Sequence, residues 1–384
     1  MNFRKLKMLC AFNIKNDPIV SAFSDIEQSG EKYCEIVNKL LTSRKTLADY
    51  LHDAMVYSDS PLVAECAKNP TDALLKAMTY DLSIIKELVE LSPKSIKKQI
   101  SDEDNGFCDI VEIPYYEQGE FNYDVNYFLD YVRNNGCGIF AKYKAFSFDG
   151  ELHPIEDIDK TRLSDLKRYE VQRNQVVENT ICFLNGKPAQ NVLLYGDRGT
   201  GKSATVKAIL NEFEGLRMIE IPKSSIALIP KLFRMLKDIP LHFILTIDDL
   251  SFSEDDDRFS ILKAVLDGSL SMKPENILIY ATTNRRKIIR ETAADREISG
   301  ADAIDESMSL SDRFGLFITF TRPDKKVFLD IVKSLADDSG IAISEEELFA
   351  SAEKFALRRG GRSPRIARQF VDWLEGRISL GLEY

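Results

Sequence analysis

The chain has 384 residues, of which 44% are hydrophobic, so it can form two or three domains that each bury a core. Its six cysteines form no CxxC pair and its three histidines are far apart in sequence, which argues against a zinc site or a disulfide framework. No stretch approaches the ~20 apolar residues of a membrane span, and the apolar run 8–12 is too short for a secretory signal. We therefore expect a cytoplasmic protein without membrane attachment.

The net charge of −10 is unevenly distributed along the chain. Residues 101–160 contain 14 acidic side chains and only four basic ones, and the rest of the chain is close to neutral. A protein that holds nucleic acid mainly through phosphate contacts carries a basic face. Binding of nucleic acid is therefore not favoured, although the charge does not exclude local basic patches.

The first 160 residues contain two regions of different character. Apolar residues recur at helical spacing over about residues 24–100, which predicts a helical N-terminal domain over residues 1–100. Residues 101–160 are rich in aromatic and acidic side chains and are predicted to form a segment of mixed structure. We interpret its aromatic residues as core and interface residues, because large aromatics usually fill cores, with a ligand-stacking surface as the alternative.

Strands and helices alternate over residues 161–322. Apolar strands are predicted at 191–196, 217–222, 242–248, 276–282 and 316–320. Helices are predicted at 170–183, 202–213, 229–237 and 259–268. This alternation predicts an α/β domain with five buried parallel strands and covering helices. Residues 323–384 contain helical patterns alone, at 325–336, 345–357 and 364–378, and are predicted to form a separate helical domain.

The first of these strands runs directly into a glycine-rich turn. Residues 196–203 read GDRGTGKS, which fits the P-loop pattern GxxxxGK[ST], and a helix follows. Glycines let successive backbone N–H groups point at phosphate oxygens, and the helix N-terminus adds its positive end there. We predict that the turn binds ATP and Mg²⁺, with Lys202 on the β and γ phosphates and the Ser203 hydroxyl on the metal. The predicted nucleotide-binding residues are Gly196, Arg198, Gly199, Thr200, Gly201, Lys202, Ser203 and Ala204.

The strand 242–248 is followed by carboxylates in the form of a Walker B element. The first acid, Asp248, is predicted to hold Mg²⁺ through its water shell, and Asp249 to polarise the attacking water. Glu is commoner at the second position and reaches one methylene further, so slow hydrolysis or help from Glu254 stays open. Two acids at a strand end can also cap a helix, an alternative that the upstream P-loop disfavours.

Two polar residues flank the later strands. Asn284 follows strand 276–282 and is predicted to orient water against the γ phosphate, with a simple turn residue as the alternative. Arg313 precedes strand 316–320 and is predicted to act as an arginine finger on a neighbouring subunit's nucleotide. Its alternative is a surface arginine or one paired with Asp312.

The last predicted helix begins at a basic turn. Ser363 is a plausible N-cap before Pro364, and Arg365 would then project from the first turn towards the nucleotide. An arginine at this place can sense the γ phosphate through a charge-assisted hydrogen bond. Arg362 and Arg368 are competitors for this role. The predicted catalytic residues are therefore Asp249, Asn284, Arg313 and Arg365.

Over roughly residues 160–380 the chain resembles the AAA+ ATPase superfamily. The resemblance rests on the order of five elements, namely the P-loop, the Asp-Asp strand end, Asn284, Arg313 and the helix of Arg365. The chain more narrowly resembles the bacterial ATP-binding family catalogued as domain of unknown function 815, in the segments NVLLYGDRGTGKS (191–203), DDLSF (248–252), SLSDRFG (309–315) and RGGRS (359–363). The resemblance implies a P-loop NTPase fold with a five-stranded parallel sheet and a C-terminal helical lid. It also implies ATP with Mg²⁺ at their junction and a homo-oligomer in the form of a ring or partial ring, but it implies no substrate.

AAA+ proteins that thread polypeptides usually carry an aromatic residue, an aliphatic residue and Gly after the second strand. Residues 223–229 read KSSIALI, so threading is disfavoured. We expect an ATPase that hydrolyses ATP between subunits to remodel or switch a partner protein recognised by the N-terminal domain. One alternative is a slow nucleotide-gated binding switch, which Asp249 motivates. Another is a loader of a helicase or nucleic acid, suggested by the likeness of residues 312–314 to loader-type AAA+ proteins.

Overall fold

The computed structural model describes residues 2–27, 31–103, 112–253, 257–267, 273–284, 289–290 and 313–382. The chain divides into two units, Met1–Tyr143 with Ile239–Leu241, and Lys144–Asp238 with His242–Tyr384. The four domain ranges expected from the sequence, 1–100, 101–160, 161–322 and 323–384, stay predictions. None of the helices among the described residues combines the length and the apolar content that a bilayer crossing requires.

The first unit is built from helices. After a 3₁₀ helix at Phe3–Met8 they are α1 (Pro18–Ser24), α2 (Glu31–Ser43), α3 (Leu47–Tyr57), α4 (Pro61–Lys68), α5 (Asp72–Glu90), α6 (Pro93–Glu103), α7 (Val125–Asn135) and α8 (Ile139–Lys142). Side-chain oxygens of Asp17, Thr46 and Thr71 accept backbone N–H groups at the starts of α1, α3 and α5. Apolar faces of these helices pack into one core.

A buried carboxylate anchors the N-terminal segment of this unit. Asp81 on α5 has no solvent exposure, and it accepts the backbone N–H groups of Cys10, Ala11 and Phe12 at 2.9, 2.7 and 3.0 Å. Several N–H donors can satisfy a buried charge without a basic partner. Asp81 thereby fixes the segment that leads into α1.

The second unit contains a seven-stranded sheet. Its strands are β1 (Ala145–Phe148), β2 (Leu152–Ile155), β3 (Val192–Gly196), β4 (Leu216–Glu220), β5 (His242–Ile247), β7 (Ile277–Thr283) and β9 (Leu316–Phe320), in the order β2-β1-β4-β5-β7-β3-β9. The short strands β6 (Phe252–Ser253) and β8 (Ile289–Arg290) pair with each other. All neighbours in the large sheet run parallel except β1 and β2.

The predicted count of five strands was wrong. All five predicted strands are present, but β1 and β2 extend the sheet beyond β4. Each has only four residues and lies in the acidic, aromatic-rich part of the sequence, which gave no clear strand signal. Phe146 and Phe148 point into the core from β1, whereas Pro154 lies on β2 at the edge of the sheet, where a missing N–H is tolerated.

Helices surround the sheet and continue beyond its last strand. They are α9 (Glu170–Leu184), α10 (Lys202–Glu212), α11 (Ile229–Leu236), α12 (Asp257–Asp267), α13 (Lys325–Asp338), α14 (Glu345–Arg358) and α15 (Pro364–Ser379), with 3₁₀ helices at Leu163–Asp165 and Lys223–Leu228. We call α13–α15 the C-terminal bundle. It has its own apolar core, which includes Phe328, Ile331, Ala352 and Phe370.

The parallel strand order brings distant parts of the chain to one edge of the sheet. β7 lies between β5 and β3, and its seven residues are all buried. Carboxyl ends of parallel neighbours meet at the same edge, so the segments after β3, β5 and β7 come together. These segments contain the P-loop, Asp248 and Asn284.

Candidate functional site

Three glycines with left-handed backbone shape the loop between β3 and α10. Their φ angles are +135° at Gly196, +76° at Gly199 and +98° at Gly201, values that side chains with a Cβ rarely adopt. A Cβ at Gly196 would lie 2.0 Å from the Phe320 carbonyl oxygen, and Gly196 does not line the adjacent cavity. The structure therefore gives Gly196 a packing role between β3 and β9, whereas residues 198–204 face the cavity.

Lys202 lies at the start of α10 with 5% of its surface exposed. Its Nζ donates to the carbonyl oxygens of Gly196 at 2.9 Å and Asp197 at 2.8 Å, and to Asn284 Oδ1 at 3.1 Å. Burial lowers the pKa of Lys202, with nearby Asp197, Asp248 and Asp249 acting in the opposite direction. The ammonium group is thus held where the three strand ends meet.

Asp248 receives two hydroxyl donors. Ser203 Oγ donates to Asp248 Oδ1 at 2.6 Å, and the Thr282 hydroxyl donates to the same oxygen. Desolvation favours the neutral carboxyl, but these bonds and the backbone N–H of Asp249 outweigh it and hold the pKa of Asp248 below its ordinary value. The sequence reasoning missed Thr282, which pairing of β5 with β7 brings opposite Asp248.

Asp249 and Asn284 are hydrogen-bonded to each other. Asn284 Nδ2 donates to Asp249 Oδ1 at 2.7 Å, and the backbone N–H of Asp249 donates to Thr282 Oγ1 at 3.1 Å. Asp249 has a φ of +51°, a left-handed value that costs energy for a residue with a Cβ. Asn284 therefore bridges Lys202 and Asp249, the two residues predicted to act on the γ phosphate and on water.

These residues line a cavity of about 880 Å³, within the range of ligand sites. Six basic and four acidic side chains line it, an excess of positive charge that suits an anionic ligand. The basic ones are Lys167, Arg173, Arg198, Lys202, Arg365 and Arg368. The end of the cavity that these basic side chains line therefore suits phosphate groups.

The other end of the cavity is less polar and was missed by the sequence reasoning. Leu166, Tyr169, Phe320, Ile331 and Leu335 line it. The Tyr169 ring stacks on Phe320 at 5.3 Å and its hydroxyl donates to the Thr321 carbonyl at 2.6 Å. Burial raises the pKa of Tyr169 to about 12, so the hydroxyl stays a donor near neutral pH. No short motif marks this end, because three separated segments supply it.

The segment before α9 is also tied to the C-terminal bundle. Lys167 pairs with Asp338 at 2.6 Å, and Arg168 pairs with Asp330 at 2.7 Å, both acids lying on α13. Arg168 and Tyr169 have consecutive φ angles of +62°. Strained backbone of this kind persists where surrounding contacts hold it, and it is often found at ligand sites.

The first turn of α15 packs directly against the P-loop. The Arg365 backbone N–H donates to the Gly199 carbonyl at 3.1 Å, and a Cβ at Gly199 would lie 2.9 Å from Ser363 Oγ. Ser363 caps α15 by accepting the Ile366 N–H at 3.3 Å, as its sequence position suggested. Arg365 and Arg368 both line the cavity, whereas Arg362 does not.

The family model described as "Protein of unknown function (DUF815)" matches residues 140–378. The chain belongs to this family. The resemblance to this family that the motifs indicated is therefore confirmed. Among curated proteins, no sequence matches the chain.

Solved structures show a distant similarity to this DUF815 protein. A Thermotoga maritima structure titled RuvB Holliday junction branch migration motor aligns with a TM-score of 0.40 and 16% identity, covering 57% of this chain and 66% of that chain. A single-substitution variant of the same RuvB aligns with a TM-score of 0.39 and 17% identity, covering 58% and 67%. We draw no functional conclusion from likenesses this distant.

Arg313 of this DUF815 protein lies away from the cavity. It precedes β9, which runs parallel to β3, so it lies at the amino edge of the sheet, opposite the P-loop. Its Nε donates to Asp267 Oδ1 at 2.5 Å, at the end of α12, and it does not line the cavity. The alternatives involving Asp312 and Glu254 concern residues outside the described ranges.

The site fits Mg·ATP by its donor set. Mg²⁺ prefers oxygen ligands and commonly takes one or two carboxylates together with phosphate oxygens. Ser203 Oγ and Asp248 Oδ1 are 2.6 Å apart beside the phosphate-binding turn, and these residues could hold the metal. The left-handed backbone at Gly199 and Gly201 and the N-terminus of α10 could together hold the phosphates.

Proposed function

We propose that this protein is a Mg²⁺-dependent ATPase of the AAA+ class that hydrolyses ATP between subunits of a ring or partial ring. Hydrolysis would remodel or switch a partner protein recognised by the N-terminal domain, predicted at residues 1–100. The observation that carries the proposal is the convergence of Lys202, Asp248, Asp249 and Asn284 at one edge of the sheet. A phosphate cradle, a metal-holding pair and an acid beside a water-orienting amide are the parts that ATP hydrolysis needs.

Each residue has a distinct role in this proposal. Backbone N–H groups of the P-loop and Lys202 bind the phosphates, and Ser203 and Asp248 hold the metal. Bound Mg²⁺ supplies a charge that neutralises the phosphate oxygens. Asn284 orients the attacking water, and Asp249 accepts its proton. Arg365 and Arg368 bind phosphate oxygens from the C-terminal bundle.

The position of Arg313 supports hydrolysis between subunits. One strand of five residues spans about 17 Å at the usual rise per residue. Arg313 is separated from the P-loop of its own chain by the whole length of β9, so its guanidinium cannot reach that nucleotide. A second copy that placed its Arg313 edge against the cavity would supply the missing positive charge. Asp267 would then position the guanidinium.

The test is the ATPase rate per subunit, measured against protein concentration with and without Mg²⁺. We expect the rate to rise with concentration and to require the metal. Arg313→Ala should bind ATP normally but lose roughly 10³-fold in turnover, as expected for an arginine finger. Arg234→Ala, at an exposed arginine that does not line the cavity, is the matched control.

Mixing two inactive variants tests the same arrangement more directly. Lys202→Gln subunits cannot hold ATP well but keep Arg313, and Arg313→Ala subunits keep the nucleotide site. Mixed assemblies should recover part of the activity, because one subunit completes the other's site. Full turnover of Arg313→Ala alone, or no recovery on mixing, would reject hydrolysis between subunits.

A slow nucleotide-gated switch is the second candidate. It is favoured by the side chain of Asp249, which is one methylene shorter than Glu and is engaged by Asn284 at 2.7 Å. Because the amide occupies one lone pair of Asp249 Oδ1, this shorter side chain has fewer positions from which it can accept the proton of the attacking water. Turnover near the enzyme median of ~10 s⁻¹ would reject the switch. Turnover of a few per hour with tight ATP binding would favour it.

A further inference from the structure

A second cavity lies on the other side of the contact between the P-loop and α15. Its volume is about 290 Å³, and we call it the arginine cavity because five arginines line it: Arg198, Arg322, Arg359, Arg362 and Arg365. In the part of the chain that the structure describes, no acidic and no aromatic side chain lines it. Of the residues that line it, the function proposed above uses only Arg365 and the P-loop residues Arg198 and Gly199.

The positive charge of the arginine cavity is only partly balanced. Asp197 lies 3.4 Å from Arg322, and Glu353 holds Arg362 through two bonds of 2.8 and 2.6 Å. Among the described residues, Arg198, Arg359 and Arg365 have no ion-pair partner. Residues 354–369 contain six basic side chains and no acidic one, in a chain whose net charge is −10.

Two glycines with left-handed backbone form the turn between Arg359 and Arg362. Gly360 and Gly361 have φ angles of +88° and +120°, and a Cβ at Gly361 would lie 3.4 Å from Arg322 Nη1. The guanidinium of Arg359 rests against the Phe355 ring at 5.3 Å. The 16-residue helix α15 begins at this turn and adds the positive end of its dipole.

We propose that the arginine cavity binds a compact phosphate-bearing anion and that its occupancy weakens ATP binding at the neighbouring site. Guanidinium groups match phosphate oxygens through paired N–H donors, so several of them in one concavity select this chemistry. Inorganic phosphate, pyrophosphate or the terminal phosphates of a second nucleotide share it. The regulatory half rests on the proposed ATPase function, but the binding half does not.

The shape of the cavity favours a compact anion over a polynucleotide. Single-stranded nucleic acid is usually held along an extended groove with aromatic side chains that stack on bases. The arginine cavity is one concavity of about 290 Å³ without aromatic lining, large enough for a few phosphate groups. Binding of nucleic acid in preference to small phosphates is therefore an outcome that would count against the proposal.

The regulatory effect follows from shared residues. Arg198, Gly199 and Arg365 line both cavities. An anion in the arginine cavity attracts the guanidinium groups of Arg198 and Arg365, which then bind the γ phosphate of ATP less well. Two ligands that compete for the same charged groups lower each other's affinity.

Binding can be followed through Trp373, the single tryptophan of the chain. Its ring lies 5.6 Å from Phe355, the residue that supports Arg359. Phosphate and pyrophosphate would be titrated into the full-length Lys202→Gln variant, whose P-loop no longer competes for the anion, with chloride at equal ionic strength as the reference. Calorimetry on the same samples measures the affinity independently of fluorescence.

We expect the Lys202→Gln variant to bind pyrophosphate. Adding Arg359→Gln to this variant should weaken pyrophosphate binding about tenfold, which is the loss expected for a hydrogen bond to a charged group. The matched control adds Arg358→Gln to the same Lys202→Gln variant, since Arg358 lies outside both cavities. Its pyrophosphate affinity should stay within about twofold of that of Lys202→Gln, because exposed charges contribute little. ADP binding more tightly than pyrophosphate would identify a nucleotide as the source, and equal affinity would identify free phosphates.

In protein with an intact P-loop, pyrophosphate should raise the KM for ATP several-fold, and Arg359→Gln should remove that effect. The proposal is overturned if Lys202→Gln abolishes phosphate binding, because the anion would then lie in the P-loop. It is also overturned if Arg359→Gln and Arg358→Gln behave alike, or if single-stranded DNA but not phosphate changes the fluorescence. Absence of ATPase activity with phosphate binding intact would instead refute the proposed function.

Discussion

Thr282 makes the most discriminating test of the metal-holding arrangement. It is 5% exposed, its hydroxyl donates to Asp248, and its oxygen accepts the Asp249 N–H at 3.1 Å. Thr282→Val keeps the shape of the side chain but removes both bonds. Because the Asp248 carboxylate keeps access to solvent, we take about 1 kcal/mol for each bond, which gives a loss of about 2 kcal/mol in the free energy of unfolding.

The effect should depend on pH in a defined direction. The folded-state pKa of Asp248 is lowered, so its hydrogen bonds stabilise the protein above the ordinary value of 3.8 and lose effect as the pH falls through the folded-state pKa. Thr282→Val raises the pKa of Asp248 towards its ordinary value. The difference between variant and wild type should therefore be constant between about pH 8 and pH 5 and shrink below about pH 4.

Urea unfolding at several pH values measures this difference, and calorimetry with Mg·ATP measures its effect on the site. Thr246→Val is the matched control, since Thr246 lies on the adjacent strand β5 and its hydroxyl is 3.5 Å from the nearest carbonyl acceptor. We expect the control to change stability by less than about 0.5 kcal/mol. The bond from the Asp249 N–H does not titrate, so about half of the Thr282→Val loss should remain at the lowest pH. Equal losses in the two variants, or a Thr282→Val loss that is undiminished at the lowest pH, would show that the hydroxyl does not act on Asp248.

Four further substitutions test other parts of the structure. Gly199→Ala and Gly201→Ala should each introduce backbone strain of about 1–2 kcal/mol, because both positions have left-handed φ angles. Only the new Cβ at Gly199 would also meet Ser363 Oγ, at 2.9 Å, so Gly199→Ala should lower the free energy of unfolding more. Equal losses of that free energy in urea unfolding would contradict the contact. Lys202→Gln should lower ATP affinity about 100-fold or more in calorimetry, since it removes a charged donor to phosphate, and near-wild-type affinity would remove Lys202 from the site. Asp81→Asn should lower the free energy of unfolding by about 3 kcal/mol, because the amide cannot match a carboxylate as the acceptor of several N–H groups. Hydrogen exchange should show reduced protection in the first unit, while the affinity for ATP is unchanged.

Long periodic elements could be predicted from the sequence, and short ones could not. The predicted helix 170–183 corresponds to Glu170–Leu184, and 364–378 corresponds to Pro364–Ser379. Buried strands such as β7 are apolar at nearly every position, which is a strong local signal. The β1–β2 hairpin gave no such signal, because its strands have four residues each and depend on pairing with β4 for their stability.

The same distinction applies to the site. Residues in one continuous motif, such as Lys202 and Ser203, could be identified because their spacing alone places them at a helix start. Thr282 and Tyr169 could not, because their roles depend on which strands are neighbours. The register that pairs Ile247 with Ala281 brings Thr282 next to Asp248, and strand order of this kind is set by packing across the whole sheet.

The contact between Gly199 and α15 connects the chemistry of the site to the position of the C-terminal bundle. A ligand shifts a conformational equilibrium only by as much as it binds one state better than another. Arg365 is attached to the P-loop through its backbone N–H, and Arg168 and Lys167 attach the same bundle through Asp330 and Asp338. In the proposed function, loss of the γ phosphate would remove a ligand of the Arg365 guanidinium while leaving the ion pairs of Lys167 and Arg168 in place. Rotation of the bundle about these ion pairs, with the Gly199 contact as the part that changes, is therefore the motion that the proposed hydrolysis would drive most directly.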